Sequence, residues 1–182
     1  MAKTALDQAL DYVFVNEGGF SNVPQDHGGA TTWGITRAEA ARWRKRPVSV
    51  EEMRKFPIEE ARAIYEAWYW RPLACDRIQD VGVAIAMFDI GVVRGIGVPP
   101  KYAQRICNAH GSQLVLDGHL GPLSLQAING LAPAVFIRDF SAMVEQGFRG
   151  IVAANPSQGV FLKGWLNRAH RLLTLINLKA AA

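Results

Sequence analysis

The chain has 182 residues, 49% hydrophobic and 20% charged, a balance that excludes a disordered chain and suits one domain or two small lobes sharing a core. Twenty Lys and Arg against sixteen Asp and Glu give a formal charge of +4, which draws the protein toward polyanions. Two cysteines, Cys75 and Cys107, make no disulfide framework, and four scattered histidines show no ligand spacing, so no metal and no other cofactor is expected.

Leu6, Ala9, Leu10, Val13 and Phe14 recur at the spacing of one helix face, which predicts an amphipathic helix. Glu17 falls next in that stripe, before Gly18 and Gly19 end the helix. A carboxyl at the rim of an apolar face is partly desolvated, which raises its pKa and suits a general acid. Alone, Glu17 would fit equally well a helix end turned to solvent. Residues 20–36, FSNVPQDHGGATTWGIT, then form a loop dense in glycine and turn formers. Asp26 lies nine positions after Glu17, and Thr31 and Thr32 follow in the same loop. An acid, a second carboxylate and a hydroxyl around one cleft are the parts that hydrolyse a glycosidic bond.

Glu17-Gly18-Gly19-Phe20, Asp26-His27-Gly28-Gly29-Ala30-Thr31 and Trp33-Gly34-Ile35-Thr36 resemble the signature of glycoside hydrolase family 108, N-acetylmuramidases that include many phage endolysins. The Glu, Asp and Thr spacing is also similar to that of phage lysozymes. The family usually has Tyr where this chain has Phe20. The resemblance implies a mainly α, lysozyme-like helical domain with a small irregular or β-hairpin element after the first helix. It implies Glu17 as general acid, Asp26 to position or deprotonate the attacking water, and a threonine to assist. The family motif favours Thr31 and the phage-lysozyme spacing favours Thr32. Peptidoglycan glycan strands are the implied partner, cut between N-acetylmuramic acid and N-acetylglucosamine.

Further along, Thr36 and Glu39 form a capping box for a helix over 37–44, and Ser49 with Glu52 starts a short helix ending before Pro57. Arg42 to Arg46, RWRKR, reads as a solvated helix end. From Pro57, Ile58, Ala61, Tyr65, Trp68 and Tyr69 recur at helical spacing up to Pro72. Trp68 is expected in the core, whereas Tyr69 and Trp70, within a family-like segment, are candidates for a sugar-facing wall; Trp33 is counted with them. Residues 80–93 predict a helix apolar on all sides, in which Asp89 must find a partner, hold a buried Arg, or line the cleft. Asp89 is therefore both a structural and a substrate-binding candidate. Val93 and Arg94 stand where the family normally has an Asn.

Gly95 to Pro100, GIGVPP, is the expected boundary between a catalytic lobe, 1–97, and a helical C-terminal lobe, 98–182. Helices are expected over 101–109, from Pro122 to Asn129 and from Pro133 onward with Phe136, Ile137, Phe140, Met143 and Val144 on one face. A last helix carries Phe161, Trp165, Leu166, Leu172 and Leu173. The DGHLGP segment and Phe161 to Arg168 are similar to the family's C-terminal part, which implies peptidoglycan binding there.

Asp7, Asp11 and Glu17 interrupt any signal-peptide core, and no run reaches the length of a spanning helix, so synthesis in the cytoplasm and release through holin-type pores or specialised secretion is expected. The remaining expectations are a monomer with no stable membrane insertion and no nucleic-acid partner, since no recognition motif accompanies RWRKR. Two rivals stand beside hydrolysis: a lytic transglycosylase, against which Asp26 argues, and a wall-binding module that keeps the fold without the chemistry.

Overall fold

The computed structural model describes residues 3–14, 20–21, 29–176 and 178. Helix α1 (Ala5–Phe14) begins where Thr4 and Asp7 cap each other, Asp7 accepting from the Thr4 N–H and hydroxyl while Thr4 Oγ1 accepts from the Asp7 N–H. Its inward stripe is the expected one, with Ala9, Leu10 and Val13 buried.

A minimal hairpin follows, β1 (Thr31–Thr32) antiparallel to β2 (Ile35–Thr36), with Thr31 opposite Thr36 and Thr32 opposite Ile35. Trp33 and Gly34 make the turn with φ of 53° and 74°. Two successive positive φ values match the right-handed twist of paired strands. Glycine adopts this conformation at little cost, but tryptophan does not, so Trp33 needs support from its surroundings.

The two capping boxes form as expected, Thr36 with Glu39 opening α2 (Arg37–Arg44) and Ser49 with Glu52 opening α3 (Val50–Arg54). Helix α4 (Ile58–Tyr65) starts after Pro57, then widens into a π turn over Glu66–Trp70 before the break at Pro72. Ala74, at φ 48°, leads into a tight turn at Cys75–Arg77.

Helix α5 (Val81–Arg94), capped by the Asp80 side chain, is buried continuously from Gly82 to Gly91 and packs against α1 on one side. On other sides it meets α6 (Val98–Ala109) and α8 (Pro133–Ala154). Gly82 lets the Leu175 backbone carbonyl approach to 2.5 Å of where a Cβ would stand. Helix α7 (Pro122–Gly130) and α9 (Gly159–Arg171) complete the described helices, α9 lying along α8.

Within the GIGVPP stretch, Val98, Pro99 and Pro100 form the first turn of α6 with both prolines buried. The buried cluster from Ala9 to Leu175 runs across that point without interruption. Phe161 is 54% exposed and Leu173 is 41% exposed, while Ala169 is the buried residue of α9. Here α9 meets α8, the Ser141 hydroxyl donating to the Ala169 carbonyl at 2.8 Å.

Candidate active site

Glu17 and Asp26, the two carboxylates singled out from sequence, lie outside the described residues, as does His27. The surroundings of the chain on either side of them are described. Phe14, the last residue of α1, packs its ring 6.0 Å from that of Trp33 and 5.6 Å from that of Tyr65, the latter edge-on. Tyr65 in turn meets Phe88 at 6.1 Å and Tyr69 at 5.8 Å. The end of α1 is thus seated on an aromatic floor supplied by the hairpin turn, α4, the π turn and α5.

Trp33 is held at both ends of its residue. Its Nε1 donates to the Phe56 carbonyl at 3.1 Å, and its own carbonyl accepts from the Tyr65 hydroxyl at 3.1 Å. These bonds, with the ring contact to Phe14, fix a backbone conformation that a tryptophan would otherwise avoid. Strain of this kind persists where the surroundings over-determine it, and Trp33 stays half-buried at the edge of the candidate site.

The two threonines separate cleanly because successive strand residues face opposite sides. Thr32 is 3% exposed and its hydroxyl donates to the Met53 carbonyl at 2.6 Å, so it ties the hairpin to α3. Thr31 is half-buried on the other face, its hydroxyl 3.3 Å from the Gly29 carbonyl. Its backbone exchanges bonds with Ser21 at 2.9 and 2.8 Å, which holds residue 21 against β1. The Arg54 guanidinium covers the neighbouring Phe20 ring at 4.4 Å.

Of the expected sugar wall, Tyr69 is half-buried, and burial, with the charge of Glu39, pushes its phenol pKa up against the opposing pull of Arg42. Trp70 corrects the sequence reading. It is 5% exposed and makes a T-shaped contact with Phe88 at 5.5 Å, so almost none of its ring is open to a ligand. The π turn causes this: one extra residue per turn rotates Trp70 inward relative to a regular helix. Trp68, expected in the core, is half-buried, with Trp43 in a T-shaped contact 5.9 Å away and the Arg42 guanidinium over its ring at 3.8 Å.

That contact also revises the reading of RWRKR as simply solvated. Arg44 forms a two-pronged pair with Glu60 at 2.7 and 2.6 Å over the Phe56 ring, and Arg46 reaches Glu52 at 2.6 Å. The Arg46 bond, with the Ser49 N–H, lowers the Glu52 carboxyl to about 2.

Asp89 is fully buried and takes the structural course among its expected roles. Arg168 donates to it through Nε at 3.1 and 3.0 Å and through Nη2 at 2.8 Å. Arg171 Nη2 stands 3.6 Å from the same carboxylate, and Arg171 Nε donates to the Tyr12 hydroxyl at 3.1 Å with its guanidinium over the Tyr12 ring. Sequence reasoning did not connect these three elements. The available signal was the Arg168, Arg171 spacing, one helical turn apart on a helix facing the buried Asp89.

Residues 10–95 match the family model described as Glycosyl hydrolase 108. Among solved structures, one titled "Structure of Brucella abortus SagA" is 29% identical at a TM-score of 0.76, covering 93% of this chain and 91% of that one. No curated protein sequence matches significantly. The element order, helices around a buried central helix with one small hairpin, is that of a mainly α, lysozyme-like fold.

Proposed function

We propose that the chain is an N-acetylmuramidase acting on peptidoglycan, a reading supported by the match of residues 10–95 to the glycosyl hydrolase 108 family model. The bond cut is the β-1,4 linkage between N-acetylmuramic acid and N-acetylglucosamine. Glu17 protonates the leaving oxygen, and Asp26 positions or deprotonates the attacking water. Thr31 is assigned the assisting role, because its hydroxyl is the one not bonded into the protein core.

The observation that carries this reading is the aromatic seat at the end of α1. Half-buried Trp33 packs on Phe14, the last residue of α1, and half-buried Tyr69 lies one ring further on, against Tyr65. Flat rings beside hydroxyls suit the apolar faces and polar rims of a pyranose. The positive charge of +4 favours a wall polymer that carries carboxylates. No single described helix is long and apolar enough to cross a membrane. Delivery to the wall is proposed to follow synthesis in the cytoplasm, through pores or a dedicated secretion route.

The test is product analysis on purified sacculi with wild type and Glu17→Gln in parallel. Wild type is expected to release reducing muropeptides, and the variant to lose about 10²-fold or more of turnover while unfolding at the same temperature. Anhydro-muropeptides would assign the chain to transglycosylation instead. Wild-type binding to sacculi without any release would leave a wall-binding module.

A further inference from the structure

We propose that Arg54, on α3, is a positioning residue for the reaction inferred above: through Phe20 and Ser21 it holds Thr31 where the threonine hydroxyl can assist. The inference rests on the muramidase reading, and its structural basis is a closed circuit of contacts around β1.

The circuit starts at the Thr31 main chain. The Thr31 N–H donates to the Ser21 carbonyl at 2.8 Å, and the Thr31 carbonyl accepts from the Ser21 N–H at 2.9 Å. In an antiparallel arrangement a residue turns both groups toward one neighbour, so β2 on the other side receives neither. The placement of Thr31 therefore depends on an isolated bridge, one residue long, that needs support from side chains.

Arg54 supplies that support. Its guanidinium lies over the Phe20 ring at 4.4 Å, and Phe20, half-buried against the core, is the chain neighbour of Ser21. Arg54 is itself fixed from the other side. It follows Met53, whose carbonyl accepts from the Thr32 hydroxyl at 2.6 Å, so the cation sits on a turn tied to β1. Thr31, Ser21, Phe20, Arg54, Met53 and Thr32 thus close a ring in which each member holds the next.

No stronger duty claims the guanidinium. The acid it approaches, Glu51, stands 3.9 Å away with both side chains more than half exposed, and Lys55 holds that carboxylate at 3.0 Å. Exposed pairs of this kind contribute little. An exposed cation over a ring likewise adds little to folding. Rate is a different matter, since a misplacement of about 1 Å can cost ~10²-fold in catalysis. The contact suits the placing of Thr31 better than the holding of the fold.

Turnover on sacculi is measured for wild type, Arg54→Ala, Arg54→Lys, Thr31→Val and the variant carrying both Arg54→Ala and Thr31→Val. Arg54→Ala is expected to lower kcat about tenfold, with KM within about twofold of wild type. Its unfolding midpoint is expected to shift by no more than ~2 °C. Arg54→Lys, which keeps a cation for the ring, is expected to recover most of the lost turnover. In the Thr31→Val background, removing Arg54 should cost less than about twofold more, because the group it positions is gone. Hydrogen exchange at the Thr31 amide needs no substrate: Arg54→Ala is expected to speed it about tenfold and to leave exchange in α5 unchanged. An unchanged kcat, an unchanged Thr31 exchange rate or equal losses in both backgrounds overturns the proposal, and so does Arg54→Lys turning over no faster than Arg54→Ala. If Arg54→Ala folds poorly, Phe20→Leu removes the ring and leaves the arginine, and the same comparisons of kcat, exchange and background decide. Wild type without turnover would sink the muramidase reading and the role of Arg54 with it, whereas turnover with additive losses would sink this inference alone.

Discussion

Asp89 and Arg168, 79 positions apart in sequence, are joined by three hydrogen bonds of 2.8 to 3.1 Å in the interior of the protein. The pair fastens the last described α-helix to the central one. Breaking a buried pair by removing one charge leaves the other desolvated without compensation, at a cost of about 3–5 kcal/mol. Asp89→Asn and Arg168→Met are each expected to destabilise the protein by roughly that amount, measured by denaturant unfolding. Replacing both together is expected to recover part of the loss, so a double-mutant cycle far from additivity is the result that supports the pairing.

The two threonines of the hairpin should separate stability from activity. Thr32→Val leaves the Met53 carbonyl without its 2.6 Å donor in a buried setting and is expected to cost about 1–3 kcal/mol. Thr31→Val, on the outer face, is expected to unfold close to wild type, within ~0.5 kcal/mol, and yet to release muropeptides more slowly. Reversed outcomes, with Thr31 stabilising and Thr32 lowering turnover alone, would move the assisting role to Thr32.

Acid sensitivity should trace in part to Asp117. The Gln104 side-chain amide, then the His119 N–H, hold its carboxyl below the ordinary carboxylate range. A lowered folded-state pKa means stability that is present above the unfolded value and lost as pH falls through the folded one. Wild type should therefore lose stability below about pH 4, and Asp117→Asn should show a shallower acid slope over that window. Urea midpoints between pH 3 and 7 make the comparison.

Both thiols should be silent in the folded protein. Burial pushes Cys107 up to about 11 and Cys75 further still, so the thiolate that reacts is scarce near neutrality. A thiol-specific reagent at neutral pH is expected to label neither residue within the time that labels both in denaturant. Fast labelling of the native protein at Cys75, which is 1% exposed, would show that the region around α5 opens readily.

What sequence could disclose followed from how local the cause was. Both capping boxes and the proline-initiated helices depend on residues three or four apart, and each formed where the pattern placed it. The burial of α5 was legible because ten consecutive positions carry side chains that tolerate it, Asp89 apart. The π turn at Glu66–Trp70 was not legible, since Tyr65, Trp68 and Tyr69 fit a regular helix just as well. Its effect on Trp70 depends on Phe88, a long-range contact. In the last helix, periodicity marks apolar residues but does not say which neighbour will cover each. Trp165 takes the stacking position against Phe148, and Phe161 is left on the rim. In the candidate site, residue types suggested the chemistry proposed above, but separating Thr31 from Thr32 required the strand faces.

The clasp of Tyr12 by Arg171 orders events during synthesis. Helix α1 leaves the ribosome first, carrying its phenol, while Arg171, which holds that phenol, is made 159 residues after Tyr12. Until then the segment that leads to Glu17 has no anchor on that side, and the buried acid of the central helix has no counter-charge. A nascent chain halted before α9 thus lacks the counter-charges that Asp89 needs, and the fold closes only when its last α-helix has been made.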